Sequence, residues 1–264
     1  MDDRTERWLI RPRPNPRAKL RLLCFPYAGA GGWMFRTWPD SLPADIELLA
    51  VELPGRDTRR GEPAFQRLAP LIAAIADAVI PDLQPPLAIF GHSLGALLGF
   101  HFTRELRRRS GTAPLQLFVS GRRAPQLPDR SPMHDLPDRQ FVDRLRRLGG
   151  IPEVVLQDAE LIAHFLPVLR ADLAVAETAE LADEAPLACP VAALAGASDE
   201  RATLDEVDAW RVHTSGTFER ETFPGGHFFI QSERTAVLGW LARRLSELTA
   251  TVRDARDARG GAPS

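Results

Sequence analysis

The pentapeptide Gly91-His92-Ser93-Leu94-Gly95 is the part of the sequence whose residue types and spacing most directly suggest chemistry. It fits the pattern G-x-S-x-G, in which a serine lies on a strained turn between a strand and a helix. The small flanking residues let the two elements approach, and the turn lifts the hydroxyl out of the sheet. A tight turn with an N-cap serine is the alternative interpretation. The pattern predicts that Ser93 is a nucleophile and that the Leu94 N–H faces a developing oxyanion.

A serine nucleophile needs a base, and the sequence offers six histidines. His227 lies in Pro224-Gly225-Gly226-His227-Phe228-Phe229, directly after the last predicted strand, where the triad histidine follows the serine and the acid in chain order. His92 lies inside the turn and points elsewhere if Ser93 points out of the sheet. The remaining histidines fall in helices or in a predicted insertion: His101, His134, His164 and His213. The sequence therefore predicts His227 as the base.

The acid that orients the base should follow a late strand, between serine and histidine in the chain. Asp199 and Glu200 both come just after a predicted strand at 191–195. Asp199 is favoured because it is nearer the strand end and its shorter side chain holds an imidazole more rigidly. Glu200 remains the alternative, and Asp205 and Asp208 on the next predicted helix are weaker candidates.

The loop Pro26-Tyr27-Ala28-Gly29-Ala30-Gly31-Gly32 follows the first predicted strand of the core. Its glycines let backbone N–H groups converge, so the loop is expected to supply the second oxyanion donor. A glycine-rich loop of this kind could instead cradle a phosphate. The sequence contains neither G-x-x-x-x-G-K-[ST] nor G-x-G-x-x-G, which disfavours nucleotide binding.

Strand-like and helix-like segments alternate along most of the chain. Strands are predicted at 19–25, 46–53, 87–90, 115–120, 191–195 and 218–223, and helices at 65–83, 93–109, 204–212 and 233–248. This alternation predicts an α/β fold with a mostly parallel central sheet and helices on both faces.

The alternation stops between about residues 124 and 185, a segment called the insertion below. Two helices are predicted there, at 138–148 and 158–179, on either side of Gly149-Gly150-Ile151-Pro152. Open α/β sheets bind ligands at the carboxyl ends of their strands, where the insertion would lie, so we expect a mobile helical lid that pivots at Gly149-Gly150. Helices packed permanently as a second core are the alternative. The predicted division is an N-terminal extension (1–18), a core in two parts (19–123 and 186–250), the lid (124–185) and a flexible tail (251–264).

Composition narrows the class of function. A formal net charge of −2 argues against nucleic acid as the main partner. The segment Met1 to Arg17 has no apolar centre typical of a signal peptide, and no run of about 18 apolar residues occurs, so we expect a cytoplasmic protein without a membrane span.

Cys24 and Cys189 are predicted to be buried free thiols. No cysteine or histidine cluster has metal-ligand spacing, and no metal or cofactor is expected.

Several motifs together resemble the type II (external, editing) thioesterases of polyketide and nonribosomal peptide synthesis, members of the α/β-hydrolase superfamily. They are Phe25-Pro26-Tyr27-Ala28-Gly29, Leu53-Pro54-Gly55-Arg56, the Ser93 pentapeptide, Ser120-Gly121-Arg122-Arg123-Ala124-Pro125, Leu166-Pro167-Val168-Leu169-Arg170-Ala171-Asp172 and the His227 segment. The resemblance runs in order from about Leu20 to Leu241, nearly the whole chain. The family more often has methionine at the position of Leu94, where only the backbone N–H is needed.

The resemblance implies the α/β-hydrolase fold with a flexible helical lid, and a discrete cytoplasmic enzyme. Its substrates would be stalled or aberrant acyl groups on the phosphopantetheine of acyl or peptidyl carrier proteins. Carried over by position, the triad is Ser93, Asp199 and His227, with Ala28 and Leu94 supplying the oxyanion N–H groups. We expect a monomer.

Two other functions stay open on the sequence alone. One is a carboxylesterase or lipase acting on small esters, although His-Gly-Gly-Gly is absent from the oxyanion loop. The other is a catalytically inactive hydrolase fold that only binds carrier proteins or small hormones. Arginine clusters at 107–109, 122–123 and 144–147 could contact an acidic carrier protein, or they could be ordinary solvated faces.

Overall fold

A seven-stranded sheet with strand order β1-β3-β2-β4-β5-β6-β7 forms the centre of the computed structural model, which describes residues 3–84, 86–150 and 153–260. The strands are β1 (Leu9–Ile10), β2 (Leu20–Phe25), β3 (Ile46–Val51), β4 (Leu87–His92), β5 (Gln116–Ser120), β6 (Val191–Gly196) and β7 (Phe218–Phe223). Every neighbouring pair is parallel except β1 and β3. The mostly parallel sheet predicted from the sequence is confirmed.

Helices cover both faces of the sheet. They are α1 (Asp3–Trp8), α2 (Leu68–Val79), α3 (Leu94–Ser110), α4 (Asp138–Leu148), α5 (Glu153–Gln157), α6 (Ala159–Glu177), α7 (Leu204–Asp208), α8 (Phe229–Ser232) and α9 (Arg234–Gly260). Short 3₁₀ turns extend two of them: Ile80–Asp82 follows α2, and Ala209–His213 follows α7. The helices that the sequence predicts at 65–83 and 204–212 therefore end as 3₁₀ turns.

The core has two layers because successive strand residues point to opposite faces of the sheet. In β2, Leu23 and Phe25 join the layer beneath α2 and α3, whereas Leu22 and Cys24 join the layer beneath α9. All four side chains are completely buried. A strand buried on both faces has a continuous apolar sequence, which explains why β2 lacks polar alternation.

The N-terminal extension contributes a strand to the sheet that the sequence does not predict. Leu9 and Ile10 pair antiparallel with Val51 and Ala50, and the Thr5 hydroxyl donates a hydrogen bond to the Ala78 carbonyl at 2.6 Å. The chain before β2 therefore supplies an edge strand. A two-residue strand is too short for its hydrophobic pattern to be recognised in advance.

The described residues of the insertion form three helices, one more than the sequence predicts. Asp158 is the N-cap of α6, and its carboxylate accepts hydrogen bonds from the Glu160 and Leu161 N–H groups, both at 3.0 Å. This cap starts a new helix and leaves α5 as a separate turn and a half before it. Ile151 and Pro152, in the segment predicted to separate the two helices, lie outside the described residues.

The C-terminal segment differs from the predicted frayed tail. Helix α9 continues from Arg234 to Gly260, well past Thr251, and residues 261–264 lie outside the described part of the chain. Cys24 and Cys189 are both buried free thiols, as predicted. In the described ranges, no helix combines the length and apolar character that crossing a bilayer requires.

Candidate active site

Ser93 lies on a sharp turn between β4 and α3, with φ of 54° and ψ of −113°. A positive φ is unusual for a residue with a side chain and marks local strain. The flanking glycines are required by close packing. A Cβ on Gly91 would lie 2.0 Å from the Gly95 carbonyl oxygen, and one on Gly95 would lie 2.1 Å from that of Phe25. The turn therefore has the geometry that the G-x-S-x-G pattern predicts.

Ser93, His227 and Asp199 form a continuous chain of hydrogen bonds. Ser93 Oγ lies 3.0 Å from His227 Nε2, and His227 Nδ1 lies 2.9 Å from Asp199 Oδ2. The Asp199 carboxylate is fully buried, and its Oδ1 accepts the N–H groups of Arg201 at 2.8 Å and Ala202 at 3.2 Å. These contacts fix the carboxylate so that it can orient the imidazole, as a Ser–His–Asp arrangement requires.

The other acidic candidates lie apart from the imidazole. Glu200 is exposed on the loop after β6, and Asp205 is exposed on α7. Asp208 forms an ion pair with Arg220. The structure thus brings together Asp199 and His227 and leaves Glu200 on the surface.

Four of the remaining histidines have contacts of their own or lie on the surface. His213 contacts Gln126, and burial lowers its pKa to about 4. His134 Nδ1 lies 2.7 Å from Glu177 Oε2, and His164 is exposed on α6. The pKa of His101 is lowered to about 4 by burial and by nearby arginines.

His92 packs beside the catalytic candidates. Its Nδ1 lies 2.9 Å from Ser120 Oγ, and its ring centroid is 5.3 Å from that of His227. Complete burial, together with the nearby His227, holds the pKa of His92 well below its usual range. The ring is therefore neutral at physiological pH.

The loop after β2 faces Ser93 across a cavity. Within the described ranges, no protein group accepts a hydrogen bond from the N–H of Ala28 or of Leu94. Both residues line this cavity together with Ser93 and His227. Two backbone donors without a protein acceptor, beside the hydroxyl of Ser93, have the composition of an oxyanion hole.

A buried ion pair that was not predicted from the sequence connects the loop after β2 to the insertion. Arg56, after β3, donates two hydrogen bonds to Asp172 of α6, at 2.6 and 2.7 Å. Asp172 Oδ2 also accepts the Gly29 N–H at 2.7 Å. Arg56 and Asp172 each lie in a motif that carries the family resemblance, so both residues could have been singled out from the sequence. Their contact could not, because they are 116 positions apart in the chain.

The cavity above Ser93 has a volume of about 70 Å³ and a largely apolar wall. Side chains of the insertion form part of it: Leu145 and Leu148 from the end of α4, and Leu169, Leu173 and Ala176 from α6. A neighbouring cavity of about 180 Å³ shares Tyr27, Ala28, Gly150 and Leu169 with it and continues to Phe165. The space next to Ser93 therefore suits an apolar group. In the described part of the chain, no three histidine, cysteine or acidic side chains are grouped closely enough to hold a metal ion.

Comparison with known proteins gives consistent matches. The sequence model of the thioesterase domain family matches residues 20–245. The gramicidin S biosynthesis protein GrsT of Aneurinibacillus migulanus is 39% identical over 240 residues, covering 90% of this chain and 94% of GrsT. Thioesterase PikA5 of Streptomyces venezuelae is 44% identical over 228 residues, covering 86% and 81% of the two chains.

Among solved structures, the type II thioesterase BorB from the borrelidin biosynthetic cluster is similar in both fold and sequence. It superimposes with a TM-score of 0.82 at 36% identity, covering 90% of this chain and 97% of that chain. This similarity agrees with the α/β-hydrolase architecture of the sheet. The chain therefore belongs to the thioesterase family, as a serine-type hydrolase related to the type II thioesterases of polyketide and nonribosomal peptide biosynthesis.

Proposed function

We propose that this enzyme hydrolyses acyl groups from the phosphopantetheine thioester of acyl or peptidyl carrier proteins, acting in trans in the cytoplasm. Removal of stalled or aberrant intermediates would be its role in an assembly line. The observation that carries the proposal is the hydrogen-bonded chain from Ser93 through His227 to Asp199, which opens onto an apolar cavity. The relatives named above support the substrate class. Two buried free thiols are compatible with a reducing compartment.

The proposed reaction has two acyl-transfer steps. In the first, His227 Nε2 takes the Ser93 proton as Oγ attacks the thioester carbonyl carbon, and the N–H groups of Ala28 and Leu94 stabilise the oxyanion. One such donor is worth about 3–4 kcal/mol in a well-studied protease. Collapse of the tetrahedral intermediate breaks the carbon–sulfur bond, and the pantetheine thiol leaves with the proton held by His227.

In the second step, water hydrolyses the acyl-serine. His227 takes a proton from water as the oxygen attacks the ester carbonyl, and the same N–H groups stabilise the second oxyanion. The carbon–oxygen bond to Ser93 then breaks, and the proton returns from His227 to Ser93 Oγ. The products are a free carboxylic acid and the original enzyme. Asp199 stabilises the imidazolium in both steps without itself taking a proton.

The test measures hydrolysis rates on a panel of acyl carrier proteins and on p-nitrophenyl esters of the same acyl chains. We expect higher kcat/KM on the carrier-bound thioesters. Ser93→Ala should lower kcat by about a millionfold, as loss of the nucleophile does in a serine protease. The circular dichroism spectrum of Ser93→Ala should match that of wild type, which excludes unfolding as the cause.

The competing functions predict different results. A carboxylesterase would prefer the free esters to the carrier-bound thioesters. A purely binding protein would hydrolyse neither, and a fluorophosphonate probe would leave Ser93 unlabelled. Either result would refute the proposal.

A further inference from the structure

The three arginine clusters of the sequence differ in their surroundings. Arg107 and Arg109 form ion pairs with Glu184 at 2.9 Å and with Asp77 at 2.5 Å, and Arg108 pairs with Glu105. The positive charge at 107–109 is therefore largely balanced by acidic side chains of the same molecule.

The second cluster has a structural role. Arg122 donates to the Ala176 carbonyl at 2.9 Å, and Arg123 donates to the carbonyls of Pro128 and Arg201 at 2.9 and 2.8 Å. These guanidinium groups hold loops of the protein together. They do not form an outward-facing basic surface.

The third cluster, at 144–147 on helix α4, differs from the other two. Arg146 forms ion pairs with Asp143 and Glu153, both at 3.2 Å. Arg144 and Arg147 are exposed and form no ion pair with another residue in the described ranges. Because they are three positions apart on a helix, their side chains lie on the same face.

That face borders a cavity of about 220 Å³. The charged side chains that line it are five arginines and two glutamates: Arg123, Arg130, Arg144, Arg147, Arg201, Glu200 and Glu206. Glu206 is partly neutralised, because it lies 3.3 Å from Arg130 and accepts the Thr203 N–H at 3.0 Å. Three of the arginines also have acidic partners, since Arg130 pairs with Glu206, and Arg123 and Arg201 pair with Asp129 at 3.6 and 3.1 Å. Arg144 and Arg147 are therefore the guanidinium groups of this cavity left to bind an anion.

This basic cavity adjoins the cavity above Ser93. Leu148 and Arg201 line both. The Arg201 N–H also donates to Asp199, so the wall between the two cavities belongs to the loop that orients His227. A ligand with an apolar acyl end and an anionic group farther along could occupy both cavities at once.

We propose that the cavity bordered by Arg144 and Arg147 binds the phosphodiester of the phosphopantetheine arm while the thioester lies at Ser93. The inference rests on the proposed function, because that function supplies a thioester whose thiol is tethered to a phosphate. Guanidinium groups suit this role because they donate several hydrogen bonds to phosphate oxygens in a fixed geometry. The same acyl group without a phosphate would lack these contacts.

The experiment compares two thioesters that carry the same acyl group, acyl-pantetheine and acyl-4′-phosphopantetheine. Each is assayed with wild type, with the double variant Arg144→Gln/Arg147→Gln and with Arg139→Gln. Arg139 is a matched control because it is exposed on the same helix and does not line the cavity. We expect wild type and Arg139→Gln to prefer the phosphorylated thioester by about tenfold in kcat/KM, a preference that high salt reduces. The double variant should lose most of this preference.

Equal preferences in wild type and the double variant would overturn the inference. So would a double variant that is impaired only on the intact carrier protein, because the arginines would then contact acidic side chains of that protein. Hydrolysis of both thioesters without any phosphate preference would refute the phosphate site alone. Hydrolysis of neither thioester by wild type would refute the proposed function itself.

Discussion

The turn at Ser93 and the carboxylate of Asp199 are both held by the backbone around them. The positive φ of Ser93 costs about 1–3 kcal/mol, which the packing of β4 against α3 must offset. Asp199 is fixed by two backbone N–H groups as well as by His227. Both residues are therefore positioned before substrate binds, and the chemistry needs little rearrangement of protein groups.

The choice between Asp199 and Glu200 can be tested by matched substitutions that remove one charge each. We expect Asp199→Asn to lower kcat by about ten-thousandfold, because the amide favours the wrong tautomer of the imidazole. Glu200→Gln should retain nearly full activity, since Glu200 is exposed and has no contact with His227. Steady-state kinetics on one thioester suffice, and comparable losses in the two variants would contradict the assignment.

At the scale of the elements, α6 is anchored to the core through its C-terminal half. Asp172 contacts Arg56 and the Gly29 N–H, and the Ala176 carbonyl accepts a hydrogen bond from Arg122. Glu177 accepts the N–H groups of Met133 and His134 at 2.8 and 2.9 Å. Through Asp172, the same half of α6 contacts the loop after β2, the proposed oxyanion loop.

Loss of the Asp172 charge should affect both stability and catalysis. Asp172→Asn leaves the buried Arg56 guanidinium without its counter-charge, and we expect the free energy of unfolding to fall by about 3–5 kcal/mol. Urea unfolding measures this loss. We also expect a lower kcat, because Gly29 is next to Ala28 in the oxyanion loop.

The double variant Arg56→Met/Asp172→Leu separates the two effects. Replacing both charges by apolar side chains should restore much of the stability, since no unpaired charge remains buried. It should not restore kcat, because a leucine side chain offers no acceptor to the Gly29 N–H. If kcat recovers together with stability, the pair supports the fold and does not position the loop.

The N-terminal part of the insertion is attached to the core by fewer buried residues and hydrogen bonds than the C-terminal half of α6. We therefore expect it to be mobile. Only Phe141 and Leu145 of α4 are buried, and they belong to a small cluster separate from the two main core layers. At the end of this helix Gly149 has a φ of 74°, and a Cβ on Gly150 would lie 2.2 Å from the Phe228 ring. A lid that moves would pivot at these two residues.

Hydrogen exchange tests this prediction. In the free enzyme, the amides of α4 should exchange faster than those of β4, and exchange should slow when an acyl-phosphonate occupies Ser93. The C-terminal half of α6 is the internal control, because its anchors should keep it protected in both states. Protection of α4 equal to that of β4 in the free enzyme would show that the insertion is a permanently packed second core.

At the scale of the whole molecule, one buried carboxyl group links global stability to pH. Glu52 is 1% exposed, and burial raises its pKa from 4.5 to about 7, although the Gly32 N–H donates to Oε2 at 2.6 Å and opposes the shift. Between pH 4.5 and about 7, the folded protein retains a proton that the unfolded chain has lost. Glu52 therefore makes stability fall as pH rises through this interval, with no further change above it.

Unfolding of wild type and Glu52→Gln at pH 5.5 and pH 8 measures this contribution. We expect Glu52→Gln to be more stable than wild type at pH 8 and to differ much less at pH 5.5, because the amide resembles the protonated acid. The exposed Glu180→Gln should change stability little at either pH. A difference between wild type and Glu52→Gln that is the same at both pH values would contradict the raised pKa.

The sequence alone determined the order of the strands after β1, most of the helices that alternate with them, and the identities of Ser93, His227 and Asp199 as candidates. These features are local, since each depends on hydrophobic periodicity or on a short motif beside a strand end. The Ser93 turn is the clearest example, because its glycines are needed for close approach within one strand–turn–helix unit.

Only the tertiary structure decided the features that depend on contacts between distant segments. Arg56 and Asp172 each belong to a recognisable motif, but only folding brings a loop after β3 against a helix of the insertion. Likewise, the three arginine clusters differ in the acidic partners that other elements supply, so that Arg144 and Arg147 remain available while Arg107 and Arg109 do not. Pairing of charges is a property of three-dimensional neighbours, and composition cannot reveal it.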